Sequence, residues 1–176
     1  MNMLKRYRFV LGSLVLMIGL YLINRELGAK AVGVTVYSLK EMLLIIPPVF
    51  ILLGLLDVWV SKETMARYMG PGSGIKGIVL SFVVGSVAAG PLYGAFPVAA
   101  VFMKKGVKFS NVLIFVGAWS TTKIPLLLFE MSALGLKFAL VRLLVDIPGI
   151  VAIAFTLTRF IPDSEIERLY EKTQSL

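Results

Sequence analysis

Lys123 is the residue whose chemistry most needs explaining. It stands in the run Trp119-Ser120-Thr121-Thr122-Lys123-Ile124-Pro125, which gathers hydroxyls, an ammonium and a helix-breaking ring. The apolar segment around it, Phe109 to Met131, leaves 14 residues on one side and 8 on the other. At that depth the four-carbon stem cannot easily carry the charge out of hydrocarbon, so the lysine is expected to face protein or water. Glu130, seven residues on, shares its helical face. In the next apolar segment Arg142 and Asp146 stand four apart, where they can pair along one face. The chemistry open to this set is capture of an anionic group, exchange of a counter-ion during transport, or a purely structural intramembrane ion pair. Glu130, Arg142 and Asp146 are the candidate coupling or ion-pair residues.

A second cluster precedes it: Gly85-Ser86-Val87-Ala88-Ala89-Gly90-Pro91-Leu92-Tyr93-Gly94-Ala95-Phe96-Pro97. Each proline in a helix removes a donor and frees the carbonyl four residues earlier, which points to Val87, Tyr93 and Thr121 for Pro91, Pro97 and Pro125. Hydrocarbon supplies no replacement, so broken backbone at membrane depth packs in protein or lines a polar cavity. Transporters build solute sites this way, with half-helix N-termini facing anions and free carbonyls facing cations. The candidate solute-binding residues are therefore Gly90, Pro91, Tyr93, Gly94, Pro97, Ser120, Thr121, Thr122, Lys123 and Pro125. The plainer alternatives are simple kinks and a Tyr93 hydroxyl reaching the interface. A Ser-Lys dyad from Ser86 or Ser120 with Lys123 is a third alternative, without other support for nucleophile activation.

These clusters need a scaffold, and composition says which kind. Of 176 residues, 58% are hydrophobic and 16% charged, and the mean hydropathy is +0.89. That is not a soluble domain. The apolar residues form runs of about 20, the length a bilayer requires. The chain has no cysteine and no histidine, which excludes disulfides, thiolate or imidazole metal sites, and Cys-His or Ser-His catalysis. No catalytic residues, metal or cofactor are expected. The formal charge of +8 falls in short clusters between apolar runs, so membrane topology explains it and nucleic acid is not an expected partner.

In order, a basic start with Lys5, Arg6 and Arg8 precedes an apolar run from Phe9 to Ile23. A signal peptide cleaved near Ala29-Lys30-Ala31 is the alternative to a first transmembrane helix. Residues 24–37 read as a linker, and 38–60 as a second span kinked at Pro47-Pro48, with Asp57 interfacial beside Trp59. Residues 61–70 read as a short interfacial helix with Met65, Tyr68 and Met69 on one face. The Gly70-Pro71-Gly72-Ser73-Gly74 turn reads as a flexible connection; it lacks Walker spacing, so phosphate binding there has little support. Residues 75–103 form a third, broken span with its break at 90–97, and 109–131 and 137–160 form the fourth and fifth. The last is expected to kink at Pro148-Gly149. Asp163-Ser164 caps a polar tail helix with a narrow Ile166, Leu169, Tyr170 stripe. The expected fold is all-α and polytopic, with about five transmembrane helices, two of them proline-broken. The expected division is a transmembrane domain over 1–162 and a short polar tail over 163–176.

Five spans divide the basic residues almost evenly. Lys5, Arg6, Arg8, Lys62, Arg67, Lys76 and Lys137 lie on one side, against Arg25, Lys30, Lys40, Lys104, Lys105, Lys108, Arg159, Arg168 and Lys172. A split of 7 to 9 leaves orientation open, which suggests dual insertion or a partner that fixes it.

The runs Glu63 to Gly70, Gly74 to Phe82 and Gly90 to Gly106, with the ordered set Gly90-Pro91, Pro97, Lys105-Gly106 and Leu140 to Leu144, resemble the predicted permeases of the YraQ type. That superfamily includes organoarsenical efflux permeases. The resemblance covers roughly residues 45–157. Many of these relatives carry a Cys-Ser-Cys-Gly element before the proline matching Pro97, where this chain has Tyr93-Gly94. Thiol capture of soft ligands is not implied here. Full-length relatives look about twice as long with two similar halves, and this chain resembles one half of an inverted-repeat transporter.

The reading is a permease in the cytoplasmic membrane. It moves a small polar or anionic solute as a homodimer, antiparallel in one version, or as a heteromer with a paralogous half. Its other partners are membrane lipid and the solute. A non-transporting membrane scaffold subunit is the alternative, and no enzymatic activity is expected.

Overall fold

The computed structural model describes residues 3–88 and 90–174, and within its helices the side chains of residues 3–6, 45, 49, 50, 52, 53, 56 and 57 lie outside the description. Asp57, expected at an interface, is among these, so its side chain lies outside the described residues. All regular structure in the described residues is helical. The chain divides into two compact units, residues 1–48 and 49–176.

α1 (Met3–Ile23) and α2 (Arg25–Trp59) are separated by Asn24 alone. The stretch read as a linker, 24–37, is thus almost wholly helical. Asn24 explains this: its Oδ1 accepts from the Leu27 N–H at 3.1 Å, and Glu26 stands in the first turn of α2, where a carboxylate suits the helix dipole. Gly28 and Gly33 cost about 1 kcal/mol each against alanine, too little to stop a helix of 35 residues. Pro47 and Pro48 lie inside α2 without ending it.

In the second unit the end of α2 is followed by α3 (Lys62–Met69), capped by the Ser61 hydroxyl on the Thr64 N–H. Met65 and Met69 are buried, while Tyr68 on the same helical face is 48% exposed. A bend of 111° leads into α4 (Gly74–Val87). α4 lies against α6 (Phe109–Thr121) with both running the same way. Gly77 meets Asn111 near their starts, and Gly85 meets Phe115, Ala118 and Trp119 farther along. At Gly85 an added Cβ would sit 2.5 Å from the Phe115 carbonyl oxygen, so this close approach requires glycine.

After α4 come an extended Pro91, a 3-10 turn at Leu92–Gly94 and α5 (Ala95–Lys104). α5 returns to the end from which α4 set out: the Lys108 N–H donates to the Met69 carbonyl at 3.0 Å, and Asn111 Nδ2 donates to the same carbonyl at 2.8 Å. Residues 75–103 are therefore a helical hairpin whose ends meet, not a third span leading from one end of the bundle to the other. The cause is in the sequence. Gly90 has φ 107°, a conformation open to glycine that lets the chain reverse. Two helices in the described residues, 109–133 and 136–160, are long and apolar enough to cross a membrane, and a third counts if α3 and α4 are taken as one bent span. Residues 7–23 and 92–104 are apolar but shorter.

α6 is followed by α7 (Ile124–Ala133), then by α8 (Leu136–Phe160), which runs back along α6 with Ile150 against Gly117. Pro148 lies within α8. Phe102 of α5, Phe115 and Trp119 form the aromatic centre of the core, with ring centroids 4.8 and 5.6 Å apart in turn.

α9 (Asp163–Gln174) packs on α5. Tyr170 Oη donates to the Val107 carbonyl at 2.6 Å, and burial pushes its hydroxyl up to about 12. The folded chain thus holds this proton above pH 10, where an unfolded tyrosine loses it, so the contact supports folding below about pH 10 and fades as pH rises toward 12. Tyr170→Phe removes one hydrogen bond worth about 1 kcal/mol. Trypsin is expected to cut at Arg168 and Lys172 severalfold faster in the variant, and an unchanged rate would show that this bond does not hold α9.

Candidate functional site

The two interrupted segments meet where the carbonyl ends of α4 and α6 converge. Ser86 Oγ, one residue before the end of α4, lies 2.8 Å from Thr122 Oγ1 just past the end of α6. The Gly90 carbonyl at the turn of the hairpin accepts from Lys123 Nζ at 3.0 Å and from Trp119 Nε1 at 3.2 Å. A cation is favoured at helix C-termini, where unpaired carbonyls concentrate. The ammonium therefore sits where the backbone supplies its partners.

Lys123 is not in a helix interior. Its backbone is extended, φ −62° and ψ 138°, and it immediately precedes α7. Pro125 falls in the first turn of α7, where a missing N–H is harmless. Pro97 is likewise in the first turn of α5. It starts a helix and does not break one, contrary to its place in the expected break. Pro91 follows α4 in extended backbone, φ −71° and ψ 159°, so the described interruption includes Ala88, Gly90 and Pro91, with the 3-10 turn after it.

Arg142 binds three elements together. Its Nη2 donates at 2.8 Å to the Thr121 carbonyl, the one Pro125 cannot serve. Its Nε reaches Glu130 Oε2 at 2.6 Å and its Nη1 reaches Asp146 Oδ2 at 2.7 Å. Both candidate carboxylates, Glu130 and Asp146, are held by Arg142. The sequence found the Arg142–Asp146 pair from its spacing of four but did not give Glu130 to Arg142, because that contact depends on α7 folding back along α8.

Of the other candidates, Thr121 Oγ1 and Thr122 Oγ1 donate to the Gly117 and Ala118 carbonyls one turn back. Ser120 is exposed, and the Lys123 ammonium donates to the Gly90 carbonyl. Lys123 thus pairs with neither Ser86 nor Ser120. Gly94 is buried, while Tyr93 is 40% exposed on the hairpin tip.

Of the buried polar residues, Ser81, Lys105, Ser110 and Asn111 are not among the candidates drawn from the sequence. Asn111 fastens the α3–α4 turn through Met69 and Ser73. Lys105, counted with Lys104 and Lys108 among the basic residues of one side, is 4% exposed, and its Nζ donates to the Val60 carbonyl. A single polar residue near a predicted helix start carries no signal of such a long-range contact.

A family model described as predicted permease matches residues 28–176. No curated protein and no solved structure matches the chain. The match extends from α2 through both interrupted segments to the C-terminal helix, and on that extent the chain belongs to the predicted permease family.

Proposed function

We propose that this membrane protein is a permease for a small anionic or polar solute, which binds at Lys123 between the hairpin tip and the α6–α7 interruption. One observation carries this reading: the Lys123 ammonium rests on a backbone carbonyl, while the two neighbouring carboxylates are held by Arg142. A charge that needs no carboxylate to stay folded is free to exchange a carbonyl for a solute oxygen. Lys123 immediately precedes α7, whose N-terminus favours an anion beside the ammonium. Arg142 with its three acceptors reads as a brace, the one feature that suits the alternative role of a scaffold subunit.

The hairpin alters the membrane count. With α1, α2, α6–α7 and α8 crossing, the number of crossings is about four and α4–α5 is re-entrant. It also alters the charge balance within the second unit. Lys62, Arg67, Lys76, Lys104, Lys105, Lys108, Arg159, Arg168 and Lys172 gather at one end, against Lys137 at the other. Nine basic residues to one favour a cytoplasmic first end, on the reading that the protein lies in the cell membrane. The near-even split derived from five spans was the ground for dual insertion, and it goes with them. Assembly with a second half is then better served by a parallel homodimer or a paralogous partner than by an antiparallel pair.

Single cysteines test site and orientation together, since the native chain has none. At Leu92 and Tyr93, each 40% exposed, a membrane-impermeant thiol reagent is expected to react. At Ala95, 0% exposed, it is not. A cysteine at exposed Lys104 is expected to react from the cytoplasmic face alone. Protection at both Leu92 and Tyr93 would mean a dry, lipid-facing hairpin and would sink the site. Equal labelling of Lys104→Cys from both faces would restore dual insertion.

A further inference from the structure

At the basic end of the second unit, far along α6 from Lys123, lies a cavity of about 210 Å³ lined by Ser73, Gly74, Ile75, Lys108, Ser110 and Asn111, with Ile78 and Phe155 as its apolar wall. We propose that this cavity is a second anion site, taking a phosphate-type oxyanion either free or carried on a lipid headgroup. The Gly70 to Gly74 turn, a flexible connection by its sequence, contributes Ser73 and Gly74 to the cavity wall.

Two helix starts converge here. α4 begins at Gly74 and α6 at Phe109, and neither has a side-chain cap. Uncapped first-turn N–H groups and the helix dipole both favour an anion. The independent observation is Ser110. It is 1% exposed, and its Oγ has no hydrogen-bond partner among the described residues. A buried hydroxyl left unpaired costs about 1–3 kcal/mol, so its place on a cavity wall calls for a ligand acceptor. Ser73 supports the same reading: its Oγ accepts from Asn111 Nδ2 at 3.2 Å, which leaves the Ser73 proton to be donated elsewhere. Lys108 brings the charge, its Nζ 5.8 Å from the centre of the Phe155 ring. Among the described lining residues there is no carboxylate to repel an anion. The volume equals several waters at about 30 Å³ each, enough for a tetrahedral oxyanion. Gly74 has φ 54°, and a Cβ there would meet nothing within 4 Å, so the backbone is open to an approaching ligand. With its basic surroundings in the cytoplasm, the cavity would face cytosolic anions and the anionic leaflet alike.

The test uses the purified full-length chain, in neutral detergent and in vesicles. Inorganic phosphate, against chloride at constant ionic strength, is expected to raise the unfolding temperature if the site takes a free anion. If it takes a headgroup, vesicles containing phosphatidic acid stabilise the chain over pure phosphatidylcholine vesicles, and phosphate does little. In either case Ser110→Ala and Lys108→Gln are each expected to weaken the response about tenfold. Ser110→Ala separates binding from folding: deleting an unpaired buried hydroxyl leaves the ligand-free unfolding temperature unchanged or higher. Lys123→Met is expected to keep the full response, which makes this site independent of the proposed permease site. The proposal is overturned if neither probe stabilises the wild-type chain, or if both variants respond as the wild type does.

Discussion

Arg142→Met is expected to destabilise the protein by about 3 kcal/mol, the low end of the range for breaking a buried ion pair, because the Arg142 side chain is 21% exposed. The loss is large because one side chain satisfies three acceptors. Without it, Glu130 and Asp146 are left as two like charges, with side chains 12% and 23% exposed, and the Thr121 carbonyl has no donor. Arg142→Lys is expected to restore only part of the stability, since an ammonium is a point charge and cannot reach three acceptors in a fixed fork. Adding Glu130→Gln and Asp146→Asn to Arg142→Met is expected to recover stability by removing the unpaired charges. Thermal unfolding of the purified variants decides the matter. If Arg142→Met melts with the wild type, the contacts from α8 to α7 and to the end of α6 are not a brace, and Arg142 returns to the candidates for solute coupling.

How far the sequence led depended on the range of the interactions involved. Interruption by proline beside glycine is a local property, and Gly90-Pro91 and Lys123-Ile124-Pro125 were legible as breaks because the breakers are their own signal. The spacing of Arg142 and Asp146 was legible for the same reason. Direction was not legible. A helix, a break and a helix of about the right total length read equally well as one bent crossing or as a hairpin. The choice is made by Gly85 against Phe115 and Asn111 against Met69, contacts between residues about 30 to 40 apart in sequence. The burial of Lys105, whose ammonium donates to the Val60 carbonyl 45 residues away, is of the same long-range kind, whereas the Asn24 cap on Leu27 is local and was a start signal taken for part of a linker. The choice of direction also carried into the charge count, which rests on five crossings where two or three helices of the described residues have the length and apolarity of a span.

Lys123→Met is expected to leave the fold close to wild type and to abolish transport. The Gly90 carbonyl keeps the Trp119 indole as a donor at 3.2 Å, so no backbone acceptor is stranded, and removal of an ammonium at this depth relieves a cost of about 2.5–3.5 kcal/mol on insertion scales. For the solute the balance is the reverse. A charge-assisted hydrogen bond is worth about 1.5–3 kcal/mol, so its loss weakens binding about 10- to 150-fold. The measurement is uptake of small anions and polar solutes into vesicles reconstituted with each protein, beside an unfolding curve for each. Wild-type uptake of at least one solute, lost in Lys123→Met with the unfolding curve unmoved, is the expected result. Because Arg142 holds both carboxylates, neither Glu130→Gln nor Asp146→Asn is expected to rescue Lys123→Met. Were Lys123→Met to unfold and either of those changes to restore it, the lysine would be the structural partner of a carboxylate, and the solute site would have to lie elsewhere.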